Sequence, residues 1–286
     1  MPAVLWMLGA VASFIVMALS VRGLSGTLSI FQILFLRGIV GLPFLLAGIL
    51  LWRGPAGLRL LRTGNLRLQV TRNAIHIVGQ LSWIYGLTVL PLAMVFAVEF
   101  SAPLWSVLLG ALVLREYPNR PQQIGVVLGL VGILIILRPG TAGFSWAVMA
   151  VLLAALAYAA TYLITRMLGR TDSALAVLFW MAVLQSPVGF VLALTDWHAI
   201  PAGIVPVILL LGLSGTSAHL CLAAALKAAP LARMLPLDYL RLPVIAVIGA
   251  VFYGEPFDPF ILAGGAVVLA SVFLTQRVTR HPPDQG

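Results

Sequence analysis

Four ionisable side chains stand inside long apolar runs of this chain: Arg37, Glu99, Asp238 and Arg241. An unpaired charge at the centre of a membrane-crossing helix costs roughly 2.5–3.5 kcal/mol, so such groups face one another or a polar cavity rather than lipid. Asp238 and Arg241 lie at i and i+3, share one helix face and can pair directly. Arg37 has two possible counter-charges, Glu99 and Asp238, and the sequence leaves that choice open. Two acids and two arginines at this depth either lock helices together or line a cavity for a small polar or zwitterionic solute, whose charged ends would meet them.

Polar and aromatic residues extend the set. His76, Gln80 and Trp83 recur at i, i+4 and i+7, which is one stripe of a helix. Gln80 aligns with His219 in a related segment, and Tyr158 and Tyr162 form an i, i+4 pair. Pro103 lacks the N–H that would have bonded the carbonyl of Glu99, and Pro236 and Pro243 flank Asp238, so helix breaks are expected beside both acids. The candidate cavity residues are therefore Glu99, Asp238, Arg241, Arg37, His76, Gln80, Trp83, His219, Tyr158 and Tyr162, with Pro103, Pro236 and Pro243 as helix breakers.

These residues do not compose an enzyme. The chain has no GxSxG, HExxH or P-loop, and no nucleophile, base and orienting group at a defined spacing. Two separate histidines beside paired acids lack the clustering of a metal site, so no metal or other cofactor is expected. The lone cysteine, Cys221, lies in an apolar run and reads as packing.

The elements that must hold these groups follow from composition. Hydrophobic residues make up 62% of the 286 residues and charged ones 9%, with mean hydropathy +1.10. A soluble domain carries about 25% charge, so the chain reads as an all-α, polytopic membrane protein. At roughly 20 residues per span, it accommodates about ten transmembrane helices. The expected spans are 3–20, 28–52, 69–90, 92–114, 121–137, 144–165, 173–195, 203–226, 231–252 and 257–276. The first is expected to be retained rather than cleaved as a signal. The net charge of +9 belongs to loops at a membrane surface and implies no nucleic-acid partner. Small-residue faces at Gly125, Gly129, Gly132, Gly264 and Gly265 suit close helix packing within a monomer or a homodimer.

The chain repeats itself. Pro91/Pro230, Glu99/Asp238, Gly110/Gly249, Glu116/Glu255 and Gly125/Gly264 share one separation (238 − 99 = 139). Arg22/Arg166, Phe35/Phe179 and Pro43/Pro187 share another (166 − 22 = 144). The halves are expected at 1–138 and 144–277, followed by a short tail, 278–286. With the N-terminus inside, Arg22 and Arg138 fall outside, Arg37 and Arg241 fall within spans, and the other thirteen of the 17 basic residues fall on the inner side. An odd five spans per half then makes the repeat inverted, the architecture of secondary transporters whose substrate sits near the midplane.

The segments FLRG at 35–38, EFSAPLWSVLLGALVLRE at 99–116, RPG at 138–140, PLDYLRLP at 236–243 and GE at 254–255 resemble the EamA-type drug/metabolite transporter superfamily. The resemblance covers nearly the whole chain. It implies ten helices as two inverted five-helix repeats, both termini cytoplasmic, a central cavity and alternating access. It further implies a bacterial inner-membrane secondary transporter of small polar or zwitterionic metabolites. YddG-like members export amino acids, so amino-acid export is the leading expectation. Uptake of an S-adenosylmethionine-like or nucleotide-related metabolite is the alternative.

The charge tally places loops 53–72, 115–120, 166–172 and 227–233 in the cytoplasm. A cysteine at position 62, in a Cys221→Ala background, is expected to react with an impermeant thiol reagent only in inside-out vesicles. Strong labelling of intact cells would reverse the topology.

Overall fold

The computed structural model describes residues 2–138, 145–229, 234 and 237–276. Its α-helices are α1 (Pro2–Leu24), α2 (Ile30–Arg53), α3 (Leu66–Val89), α4 (Leu92–Glu99), α5 (Ala102–Leu114) and α6 (Arg120–Leu137), then α7 (Trp146–Leu168), α8 (Ala174–Ala193), α9 (Val205–Ala228), α10 (Arg241–Tyr253) and α11 (Pro259–Gln276). No strand occurs among the described residues. Helices are what continuous apolar runs must form in hydrocarbon, because each satisfies its own backbone polar groups.

Among the described residues, seven helical stretches are long and apolar enough to cross a membrane, with α4 and α5 together forming one of them. Helix α3 is as long, but its polar stripe lowers its hydropathy, while α10 and α11 are shorter. Helix ends are fixed by local chemistry. Ser29 and Gln32 form a capping box on α2, Asn119 and Gln122 form one on α6, and Asn65 and Ser173 cap α3 and α8.

The expected kink at Pro103 is a full break. Helix α4 ends at Glu99, and Pro103 is the second residue of α5, where a missing N–H costs nothing. The Val98 carbonyl accepts both the N–H (3.0 Å) and the hydroxyl (2.6 Å) of Ser101, so the break leaves it satisfied. Pro243 likewise lies in the first turn of α10. Pro236, the joint at 139–144 and the tail at 278–286 lie outside the described residues.

Helices pack in pairs: α1 on α9, α3 on α7, α2 on both α8 and α9, and α6 on α11. Backbone contact between α6 and α11 requires glycine, since a Cβ on Gly132 would stand 2.9 Å from the Gly264 carbonyl. The apolar core differs between the two ends of the bundle. Toward the α1–α2 turn, one continuous cluster joins Leu24, Leu28, Leu87, Leu92, Phe96, Val148, Leu211 and Ile245. Toward the α2–α3 connection the core of the described residues falls into two further groups. Met7, Ala10, Ala225 and Met234 form one group, and Leu45, Ile49, Leu61, Leu178 and Met181 another.

Asp172, in the α7–α8 turn, pins the α2–α3 connection. Its carboxylate accepts hydrogen bonds from the Thr63 hydroxyl (2.6 Å), the Gly64 N–H (2.8 Å), the Gln69 amide (2.8 Å) and the Thr171 hydroxyl (2.9 Å). The Ser173 hydroxyl and the Trp180 indole donate to the carbonyls of Leu60 and Leu61 alongside. Burial alone would raise the Asp172 pKa, but these four hydrogen bonds outweigh it and hold the group below the ordinary aspartate value. A lowered folded-state pKa gives stability that is present above the unfolded pKa and lost as pH falls through the folded one. Asp172→Ala is expected to cost about 2–3 kcal/mol at neutral pH. The wild-type advantage in detergent melting temperature should then shrink as pH falls below about 4. A constant difference across that range would remove the carboxylate from the argument.

Candidate functional site

Helix α3 supplies the site's spine. Gln69, Arg72, Asn73, His76, Gln80 and Trp83 follow one another at helical spacing, and all are buried. Arg72 was expected in an inner loop. It lies instead inside α3, 6% exposed, one turn from His76.

Arg37, on α2, donates through Nη2 to Gln80 Oε1 and, at 3.4 Å, to Gln185 Oε1 of α8. The Gln185 amide reaches Asn73 Oδ1 at 2.8 Å and His76 Nδ1 at 3.0 Å. Arg72 Nε donates to the Thr165 hydroxyl of α7 at 2.8 Å, and its Nη1 lies 3.4 Å from Asn73 Oδ1. One polar network therefore joins α2, α3, α7 and α8. Neither Arg37 nor Arg72 has a carboxylate partner among the described residues, and Arg37 Nε is buried without a hydrogen bond.

The acids gather on Arg241. Asp238 lies 2.6 Å from its Nη2 and Glu99 3.7 Å from its Nη1, with all three side chains at most 15% exposed. Glu99 also accepts the Trp83 indole N–H at 2.7 Å. Phe14 and Phe100 lie 4.5 and 4.9 Å from the Arg241 guanidinium, giving the cation aromatic faces as well as acids. The break before α5 places the Glu99 carboxylate at a helix end, and Arg241 opens α10 opposite it.

The sequence therefore grouped Asp238 with Arg241 correctly in space, and Glu99 joins them. Of the two counter-charges open to Arg37, neither is used: it bonds amide oxygens. His76 stacks near Tyr158, centroids 5.6 Å apart, where a Cβ on Gly79 would press on that ring at 3.0 Å. His219 meets Phe14 edge-on at 5.4 Å and does not join the Arg37 network. Tyr162, one turn beyond Tyr158, is 54% exposed toward the end where the core divides. Arg72, Asn73, Thr165 and Gln185 escaped the sequence reading. Arg72 and Asn73 continue the His76 stripe at i−4 and i−3, and Gln185 is a lone amide in an apolar span, so a signal existed for each. Among the described residues no three His, Cys, Asp or Glu side chains are placed to hold a metal.

Buried, hydrogen-bonded charges with aromatic faces beside them thus form a polar site within a bundle whose described helices include stretches long and apolar enough to cross a membrane. The model of the EamA-like transporter family matches residues 1–138 and 145–277, and the chain belongs to that family. It is 30% identical over 227 residues to a riboflavin transporter of Rhizobium johnstonii, covering 79% of this chain and 75% of that protein. It is 28% identical over 242 residues to an S-adenosylmethionine uptake transporter of Rickettsia prowazekii, covering 84% and 79%. A riboflavin transporter of Vibrio cholerae is 27% identical over 224 residues, covering 77% and 75%. A solved crystal structure superposes with a TM-score of 0.67 at 16% identity, covering 96% of each chain, which shows the shared fold alone. The family and these relatives are transporters, so the protein is not an enzyme.

Among the described residues, Arg241 is the one cation paired with both acids, so removing it leaves both buried without a counter-charge. Arg241→Gln is expected to cost about 3–5 kcal/mol, more than Glu99→Gln or Asp238→Asn. In double-mutant cycles on detergent melting temperature, Arg241 should couple to each acid, while Arg37 and Glu99 should be additive. Coupling of Arg37 to Glu99 instead would contradict the geometry.

Proposed function

We propose that the chain is a ten-span secondary transporter built of two inverted halves, 1–138 and 144–277, which takes up a flat nitrogen-heterocyclic metabolite by alternating access. Its place is the bacterial inner membrane, with both termini and the 278–286 tail in the cytoplasm. The observation that supports the reading is the distribution of the apolar core among the described residues: one continuous cluster lies toward the α1–α2 turn and two separate clusters lie toward the α2–α3 connection. By the charge tally the end with separate clusters is cytoplasmic, which fits an inward-facing state. The family match in two stretches, 1–138 and 145–277, supports the two-half reading.

The relatives' names favour uptake of an adenosyl or flavin-class compound over amino-acid export. The site suits such a solute. Tyr158, Tyr162 and Phe14 offer ring faces, while Arg37 and Arg72 offer donors without acid partners to carbonyl or carboxylate oxygens. The Arg241 cluster, with its charges paired to one another, serves as a fixed wall.

Counterflow in proteoliposomes tests this. Vesicles preloaded with unlabelled riboflavin or S-adenosylmethionine should accumulate the labelled compound, and a panel of amino acids should not exchange. Arg37→Gln and Arg72→Gln should each raise KM about tenfold or more, the loss expected for a hydrogen bond to a charged group. Exchange of amino acids alone would restore the export reading.

A further inference from the structure

Two ion pairs at opposite ends of the bundle are sequence twins. Arg22 corresponds to Arg166 (166 − 22 = 144) and Glu116 to Glu255 (255 − 116 = 139). Each arginine stands in the last turn of its helix, α1 or α7, and pairs with the glutamate of the other half: Arg22 with Glu255 at 2.7 Å, Arg166 with Glu116 at 3.0 Å. The turns holding the acids are alike as well. Helix α5 is capped by Arg115 with φ 58° and α10 by Gly254 with φ 62°. The next N–H returns to the carbonyl of Gly110 at 3.2 Å or Gly249 at 3.1 Å.

The surroundings of the twins differ. Arg22 and Glu255 are 16% and 13% exposed, Arg22 also donates to the Leu90 carbonyl, and Glu255 also accepts the Leu92 N–H at 2.8 Å. Arg166 and Glu116 are 65% and 53% exposed, and their side chains have no other hydrogen bond among the described residues. Glu255 is tucked onto Gly249, where a Cβ would collide with its Oε2, whereas Glu116 Oε2 lies 4.0 Å from the Cβ position on Gly110. Deeper along the same helices, Tyr162 is 54% exposed and its twin Ala18 is fully buried.

We infer that the two pairs are the alternating latches of one transport cycle, with Arg22–Glu255 buried here and Arg166–Glu116 formed but exposed. The inference rests on the inverted-repeat transporter reading above. When halves are related by inversion, the opposite state follows by giving each half the geometry its twin now has. Arg166–Glu116 then becomes the buried pair, and Arg166 gains the carbonyl of Ala229, the twin of Leu90. Arg22–Glu255 becomes the exposed one. An exposed ion pair contributes little, while a buried one with backbone partners resists the loss of either member, so each latch stabilises the state that buries it.

Single cysteines replacing Tyr162 or Ala18, in a Cys221→Ala background, report the two states through impermeant maleimide labelling from the inner or outer face. Position 162 should label from inside and position 18 scarcely from outside. Glu255→Gln should raise the ratio of outer to inner labelling about tenfold. Glu116→Gln should lower that ratio during substrate exchange, and the double variant should return toward the starting value. Opposite shifts with recovery in the double variant support paired latches. Shifts in one direction, or none, in protein of unchanged melting temperature would overturn them. If Glu255→Gln does not fold, Arg22→Gln reads the same latch. Opposite shifts without exchange of any heterocycle would leave the latches standing and remove the substrate assignment.

Discussion

Arg241 is the charge on which the centre of the bundle depends. Without it, Glu99 and Asp238 would be two carboxylates between apolar helices with no cation beside either among the described residues. With it, three charges become one compact cluster beside Phe14 and Phe100. The geometry of that cluster dictates the backbone around it. A continuous helix would carry Glu99 past in mid-span. Ending α4 at Glu99 and starting α10 at Arg241 brings both groups to helix ends, where side chains such as Ser101 can satisfy the freed carbonyls. Pro103 and Pro243 therefore sit in the first turns of helices instead of bending them.

The acid cluster leaves positive charge elsewhere. Arg37 and Arg72 are buried, bonded to amide and hydroxyl oxygens and not to acids, so their charge is spread over dipoles without being cancelled. A bound solute offering acceptor oxygens would lower that cost, and the amide network holds both guanidiniums in place before it arrives. Pre-ordering of this kind reduces the entropy spent on binding.

Much of this was legible in the sequence because a bilayer penalises misplaced charge so heavily. Four ionisable residues in apolar runs pointed to the centre of the bundle, and the i, i+3 spacing of Asp238 and Arg241 was enough to pair them. The partner of Glu99 was not readable. That pairing depends on how α4 and α10 face each other, which no local spacing encodes. Arg72 was misplaced for a related reason. A positive-inside tally treats every arginine near a span boundary as a loop residue, yet α3 begins at Leu66 and carries Arg72 two turns into the bundle. Gln185 was overlooked because one amide costs little to insert and leaves only a weak mark in a hydropathy pattern.

The packing also limits what can move against what. The helices in tightest partnership come from the two stretches 1–138 and 145–277: α1 lies on α9, with Gly9 against Cys221 and Ala10 clustered with Ala225, and α3 lies on α7, with Gly79 against Ala157 and Gly86 against Val151. Small residues at such interfaces bring backbones close and leave few rotamers to rearrange, so each pair behaves as one stiff body. The divided core separates bodies of this mixed kind, since Met7 and Ala10 of α1 cluster with Ala225 of α9. Each latch likewise takes one residue from each half. In the cycle proposed above, cross-half pairs would rock against one another, because separating the halves themselves would break the α1–α9 and α3–α7 seams together.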